Sequence, residues 1–361
     1  MFFQQAFLLL TYSFNNLDDD NDIQLNRSRY GHDFRGSLDN KERKKRANKV
    51  PRLALLSVHS SPWQKLIESS SDPALITFTG FDKNAFYILL EIFGPYFDEY
   101  TPFTTSGKIS LKRVGFGRPR KIRPEDCLGL SLAWTRTRGS KVQLNMSFGM
   151  TATNCALYIK FGLRILVRVL NSHEKARVAI PSDDLLTEYA QSIENRHNNL
   201  QNVWSTMDGL KLEIEIAPET DRQALFYNGW VHGHYISNIF VFTPAGTIPI
   251  CCLNMPGSYH DSTICDLSGI YTMLEDVYNK LGYRCCVDSA FQGRDSKFLI
   301  KSSQDNLVAP NGLSGEEAFN AVRIQQEATS LRQSAEWGMR AFQSMFPRCK
   351  DKIHYEENGE R

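Results

Sequence analysis

"MDGLKLEIEI", residues 207–216, decides how the second half of this chain reads. Leu210, Leu212, Ile214 and Ile216 fall at alternate positions, with Lys211, Glu213 and Glu215 between them. That two-residue period marks a half-buried β-strand. Asp208 and Gly209 stand just before the alternation, so an acid is expected at the mouth of a strand. Such an acid either holds a turn or is the first ligand of a metal site completed far along the chain.

Further strand-like runs follow at 234–243 ("HYISNIFVFT"), 248–253 ("IPICCL") and 284–288 ("RCCVD"). Helical patterns follow at about 262–281 and 315–346. Consecutive strands, then strand–helix alternation, imply an α/β or α+β domain built on a mixed sheet. Three further acids accompany Asp208. Asp261 lies in "MPGSYHDSTI" and opens a helix; Asp288 ends "YRCCVD"; Glu336 lies inside "TSLRQSAEWGMRAFQSMF", one turn from both Arg332 and Arg340. Each has a local reading: a turn for Asp208, a helix cap for Asp261, an i±4 ion pair for Glu336. Taken as a set they fit one chemistry. Strand-borne aspartates and a later helical glutamate can converge on two Mg²⁺ ions, since oxygen ligands suit that metal and a pair of ions about 4 Å apart stabilises attacking and leaving oxygens in phosphoryl displacement.

Upstream the period changes. "FTGFDKNAFYILLEIFGPYFDEY" has an N-cap candidate in Asp82, then Phe86, Leu89, Leu90 and Phe93 at helical spacing. A Gly- and Pro-containing loop then gathers Lys108, Lys112, Arg113, Arg118, Arg120, Lys121 and Arg123. Pro124, Glu125 and Asp126 open a helix carrying Leu128, Leu132 and Trp134. In "KVQLNMSFGMTATNCALYIKFGLRILVRVL" (141–170) a short helix around Val142 to Phe148 meets Gly149, and Thr151 or Thr153 caps a longer helix. This is the grammar of a helix-turn-helix, and equally of a plain helical hairpin. On the first reading Arg113, Arg118, Arg120, Lys121 and Arg123 contact phosphates, while Thr153, Asn154 and Lys160 lie on the reading helix. Residues 1–75, serine-rich and polar, are expected to be a disordered leader. Its basic run "KERKKRANKVPR" (41–52) is either a nuclear import signal or a solvated charge run.

With 361 residues, 42% hydrophobic and 23% charged, the chain is long enough for two domains. A net charge of +2 confines any nucleic-acid affinity to local basic patches. The eight cysteines form no CxxC, which argues against zinc and for buried, reduced thiols. "MFFQQAFLLLTY" has too short an apolar run, and no basic lead-in, for a signal peptide or a membrane span.

"DGLKL", "MPGSYHDSTI", "VDSAF" and "SAEWGMRAFQSMFPR" resemble, in this order, the blocks of PIF/Harbinger-type transposases of the DDE endonuclease superfamily. The resemblance spans about residues 76 to 350. It implies a ribonuclease H-like catalytic domain (185–361) preceded by an all-α, helix-turn-helix-like DNA-binding domain (76–180). It further implies Mg²⁺ or Mn²⁺ as cofactor, with Asp208 as first acid and Glu336 as the glutamate. Asp288 is the favoured second aspartate, 80 residues after Asp208 and 48 before Glu336. Asp261 is its competitor, or else a supporting residue or DNA contact. The family also implies transposon-end and target DNA as substrates, a Myb-like partner protein, homo-oligomers on DNA and a nuclear site of action. Two departures stand out. "VDSAF" replaces a Gly-Asp-x-Gly-Tyr-like block, and the chain stops at "EENGER" where relatives continue with a basic helical segment, so a truncated copy is expected. A non-catalytic, host-retained DNA-binding or chromatin adaptor is the alternative function.

Overall fold

Ser61 followed by Pro62 starts a helix inside the segment that composition assigns to a disordered leader. The computed structural model describes residues 50–101, 120–138, 140–216, 220–291, 297–302 and 314–353. Within it the chain divides into two units. The leader expectation fails from residue 50 onward; residues 1–49, with most of the basic run, lie outside the described residues. Helix α1 (Pro62–Ser69) is capped by Ser61 Oγ, which accepts from Gln64 N at 3.4 Å, and α2 (Asp72–Thr79) follows. Serine-rich composition hid the aromatic and aliphatic residues that decide burial here. Trp63 and Leu75 are fully buried, and Trp63 stacks on Phe148 with ring centroids 5.1 Å apart.

The rest of the helical unit follows its local signals. Asp82 Oδ1 accepts from Ala85 N at 2.7 Å and caps α3 (Lys83–Glu99). Pro124, Glu125 and Asp126 open α4 (Pro124–Arg136), which is buried almost throughout. Helix α5 (Val142–Phe148) and helix α6 (Ala152–Ser172) form the expected pair. Thr151 flanks the start of α6, its carbonyl accepting from Cys155 N at 2.8 Å, while Thr153 lies inside the first turn and caps nothing. Residues Phe346–Asp351 belong to this unit, not to the second one as the 185–361 boundary expects. Arg348 causes the return: its guanidinium lies 4.4 Å from the Trp134 ring centroid and donates to Thr137 O at 2.7 Å.

The second unit is α/β. Helix α7 (Asp183–Arg196) precedes the central strand β1 (Val203–Glu213). Then come α8 (Thr220–Phe226), β2 (Tyr227–Asn228), β3 (Gly233–Phe242) and β4 (Ile250–Pro256). Gly269, at φ 75°, splits the single helix expected at 262–281 into α9 (Asp261–Leu267) and α10 (Ile270–Leu281). Strands β5 (Arg284–Val287) and β6 (Leu299–Lys301) and the long helix α11 (Gly315–Met345) complete it. The sheet runs β2-β3-β1-β5-β6, with β4 also pairing β3. Strand β3 is antiparallel to β1, whereas β5 and β6 are parallel to it, which is the mixed sheet the sequence pattern implies.

Both faces of the sheet are covered. Trp204, Met207, Val241 and Val287 pack with Ile264, Leu274 and Val277 of α9 and α10. On the other face Val203 and Cys286 pack with Ala328 and Leu331 of α11. Each fully buried Val, Leu, Ile or Met among them contributes about 1.5–3 kcal/mol of transfer free energy. All eight cysteines are free thiols, and burial pushes Cys155, Cys251 and Cys285 up to about 12, well away from the thiolate form. Among the described residues no helix is long and apolar enough to cross a membrane.

Candidate active site

Asp208 sits in the middle of β1, not at its mouth. The strand begins at Val203, and Asp208 is held in the ladder opposite Phe240 of β3. On its other side the parallel register pairs Met207 with Val287. The next step along that register therefore sets Asp208 beside Asp288, the first residue beyond β5. Alternation along β1 puts Thr206, Asp208 and Leu210 on one face, and Thr206 Oγ1 lies 3.3 Å from Ser334 Oγ of α11. Asp208 thus faces the α11 layer. Its Oδ1 accepts from Gly209 N at 2.8 Å. Asp288 Oδ1 accepts from Ser289 N at 2.6 Å and from Ser289 Oγ at 3.2 Å.

Asp261 arrives through a clamped loop. A Cβ on Gly257 would stand 2.2 Å from Tyr235 O and 2.8 Å from Phe226 O, so only glycine passes there. The buried Asn228 donates from Nδ2 to Gly257 O at 2.6 Å, and Ser258 N donates to Leu225 O at 3.3 Å. This fastening delivers Asp261 as the first residue of α9, behind His260 in the N-cap position. Its carboxylate lies against the β1 backbone: a Cβ on Gly209 would meet Asp261 Oδ2 at 2.7 Å. Asp261 Oδ1 is buried and finds no hydrogen-bond partner among the described residues.

Glu336 is brought in by α11. Of the two arginines one turn away, Arg332 makes the ion pair, Nη2 to Glu336 Oε1 at 2.7 Å, while Arg340 is exposed. The same guanidinium places Nη1 4.0 Å from Asp208 Oδ2. One side chain therefore links the acid of the helix to the acid of the central strand.

Burial pushes the Asp208 carboxyl up to about 6, assisted by the neighbouring Asp288 and Asp261 carboxylates and opposed by Gly209 N–H and Arg332. Asp261 is also raised, by burial and then by Asp288, against the pull of Lys211 and His260. The three aspartates thus feel one another's charge. Among the described residues no three His, Cys, Asp or Glu side chains stand close enough to hold a metal ion as they are. The donor set is nonetheless all carboxylate oxygen, and the orphaned Asp261 Oδ1 is a buried acceptor without a hydrogen-bond donor among the described residues. Such a set suits Mg²⁺ or Mn²⁺ rather than a thiolate-seeking metal.

The basic residues expected to meet DNA divide differently. Arg113 and Arg118 lie outside the described residues. Arg120 serves its own unit: it donates to Phe97 O and Tyr100 O and covers the Phe97 ring at 4.5 Å. Arg123 is tied to α4 and α1, pairing with Glu125 at 3.1 Å and Asp126 at 3.5 Å and donating to Gln64 Oε1. Lys121, Thr153 and Asn154 are exposed, and Lys160 is half-buried. Helix α6 buries residues such as Tyr158, Phe161, Leu163, Leu166 and Val169, leaving Thr153 and Asn154 open at its start and Arg168, Asn171 and Ser172 open towards its end.

Residues 207–358 match the family of DDE superfamily endonucleases. The matched segment holds all four acids and Arg332, and covers less than half of the chain. No curated protein and no solved structure matches. Within the matched segment, sequence reading found the acids but missed three residues that position them: Gly209, Asn228 and the Asp208-directed reach of Arg332. The signal for Gly209 was present, since a glycine inside a strand marks a close approach. The other two depend on contacts across the fold.

Proposed function

We propose that this chain is a divalent-metal-dependent DNA endonuclease of the PIF/Harbinger transposase type, with a ribonuclease H-like catalytic unit. The supporting observation is register. The Met207–Val287 pairing of the parallel strands β1 and β5 puts Asp208 and Asp288 each one residue further on, and α11 brings Glu336 to the face of Asp208. Asp208, Asp288 and Glu336 would hold Mg²⁺ or Mn²⁺, with Asp261 contributing its unpartnered oxygen or steadying the set. The ions, when bound, activate the attacking oxygen and stabilise the leaving one. The chain's own part is to present hard oxygen donors from a rigid strand ladder and one long helix.

The helical unit supplies the DNA contacts in this reading, through Lys121, Thr153, Asn154 and Lys160 and through Arg113 and Arg118. Recognition helices reach base edges with their N-terminal residues, and Thr153 and Asn154 are exposed in the first turn of α6. Transposon ends and target DNA are the substrates, on a homo-oligomer with a Myb-like partner in the nucleus. Intact acids favour this over the non-catalytic adaptor. The test is cleavage of labelled terminal-repeat DNA by the full chain with Mg²⁺ or Mn²⁺, with and without the partner. Asp208→Ala and Glu336→Gln are each expected to abolish cleavage while folding and DNA binding persist. Near-parental, metal-dependent cleavage by either variant would refute the assignment.

A further inference from the structure

Between the acid of the helix and the acid of the central strand stands one cation. The Arg332 side chain is 19% exposed, so little water screens its charge. A guanidinium so placed needs acidic partners and finds two: Glu336 Oε1 at 2.7 Å through Nη2, and Asp208 Oδ2 at 4.0 Å through Nη1. The fork shape of arginine allows this span; an ammonium is a single point and cannot face both.

We infer that Arg332 is the built-in counter-cation of this acid cluster, and that a divalent ion must displace its guanidinium to reach Asp208 and Glu336. The inference rests on the metal reading above. In the metal-free chain Arg332 positions two carboxylates that would otherwise repel each other across the α11–β1 contact. The carboxylate oxygens facing the guanidinium are then unavailable to an ion. Two cations within a few ångströms of each other also repel, so ion and guanidinium exclude one another. Arg332 and Glu336 lie one turn apart on the same face of α11, so the arginine can swing away along the helix while the glutamate keeps its place.

The test is a titration of the full, metal-free chain with Mn²⁺ at low ionic strength, following free Mn²⁺ by electron paramagnetic resonance, with thermal melts in EDTA alongside. Arg332→Gln and Arg332→Met remove the charge; the second keeps the apolar stem packed. Both are expected to bind Mn²⁺ at least about tenfold tighter than the parent, because a competing cation a few ångströms away has gone. Both are also expected to melt about 2–4 °C lower in EDTA, the shift that a loss of about 1 kcal/mol produces in a unit of this size. Arg332→Lys keeps the charge but faces one acid at a time, so its Mn²⁺ affinity is expected to fall between those of the parent and the uncharged variants. Should one uncharged variant fail to fold, the other decides. Unchanged or weaker Mn²⁺ binding in the folded uncharged variant overturns the inference. Asp208→Asn serves as control. If it loses Mn²⁺ binding while the uncharged Arg332 variant behaves as the parent, the counter-cation role is refuted and the metal reading survives. If Asp208→Asn binds Mn²⁺ as the parent does, the metal reading falls and this inference with it.

Discussion

Adding one methyl group at Gly209 tests the site's geometry without touching a charge. Gly209 lies inside β1 with an ordinary extended backbone, so alanine meets no conformational strain there. On backbone grounds alone, Gly209→Ala is stabilising by about 0.4–1 kcal/mol, since it removes freedom from the unfolded chain. The packing argument has the opposite sign. The new Cβ would stand 2.7 Å from Asp261 Oδ2 and 3.1 Å from Asp261 Cγ. Ordinary contact begins near 3.4 Å, so the carboxylate has to retreat by about 0.7 Å. Asp261 cannot retreat freely, because the 256–260 loop behind it is fastened to Asn228 and Leu225. Overpacking of this kind costs about 1–3 kcal/mol, and displacing a site residue by close to 1 Å costs up to about a hundredfold in rate.

The assay is denaturant unfolding of the full chain, read beside metal-dependent cleavage of terminal-repeat DNA. Gly209→Ala is expected to lose about 1–2 kcal/mol net and most of its cleavage. The same substitution placed in an Asp261→Ala background has nothing to collide with and is expected to be neutral or stabilising. That change of sign between backgrounds is the coupling expected of two residues in contact. If Gly209→Ala alone proved neutral or stabilising, the close approach of Asp261 to β1 would be refuted.

Three other outcomes are expected. Asn228→Ala removes a donor to Gly257 O and the acceptor of Trp230 N and Val231 N, both at 3.1 Å, and should cost about 2 kcal/mol by urea unfolding; a neutral result would show that the loop holds itself. A folded-state value of about 6 for Asp208, against 3.8 ordinarily, means that the folded chain binds this proton more tightly than the unfolded one. Relative to Asp208→Asn, the metal-free chain should therefore keep this stabilisation below pH 4 and lose about 3 kcal/mol of it as pH rises through 6. Denaturant midpoints in EDTA check this, and a relative gain in stability over that range would contradict it. In DNA binding, Lys121→Ala should flatten the salt dependence of log K by about 0.9 without altering stability. Arg120→Ala should instead destabilise the helical unit by about 2–4 kcal/mol, having lost two carbonyl partners and the Phe97 ring; equal salt effects from the two variants would undo the distinction.

What the sequence revealed and what it hid follow from where periodicity survives. Alternation is visible from Leu210 onward, where Lys211 and Glu213 meet solvent, but residues 203–207 are buried on both faces and show no period. That is why β1 seemed to begin at Asp208. Strands β2 and β6, of two and three residues, are too short to carry any pattern. Helices α1 and α2 were readable only through their Ser61–Pro62 and Ser71–Asp72–Pro73 starts, local signals outweighed by polar composition. Arg120 shows the converse error: a basic residue in a basic loop spends its charge on two backbone carbonyls and two aromatic rings. No sequence pattern separates that use from a phosphate contact, because the difference lies in the partner.

The four acids are held by two kinds of device, and this bears on which aspartate accompanies Asp208. Successive strand residues face opposite layers, so Asp208 looks toward α11 while its neighbour Gly209 opens toward α9 and admits Asp261. Asp288 follows the last paired residue of β5 and is released from that alternation; its charge acts on both Asp208 and Asp261. The Met207–Val287 pair therefore anchors Asp208 and Asp288 from the residue before each, whereas Asp261 is held by the loop that Asn228 fastens. A ladder keeps two ligands at a constant spacing without help from side chains, which a metal-binding pair needs. In the metal reading proposed above, the Asp208–Asp288 pair would therefore be the backbone-set base of the site, and Asp261 an oxygen held against it by its own loop.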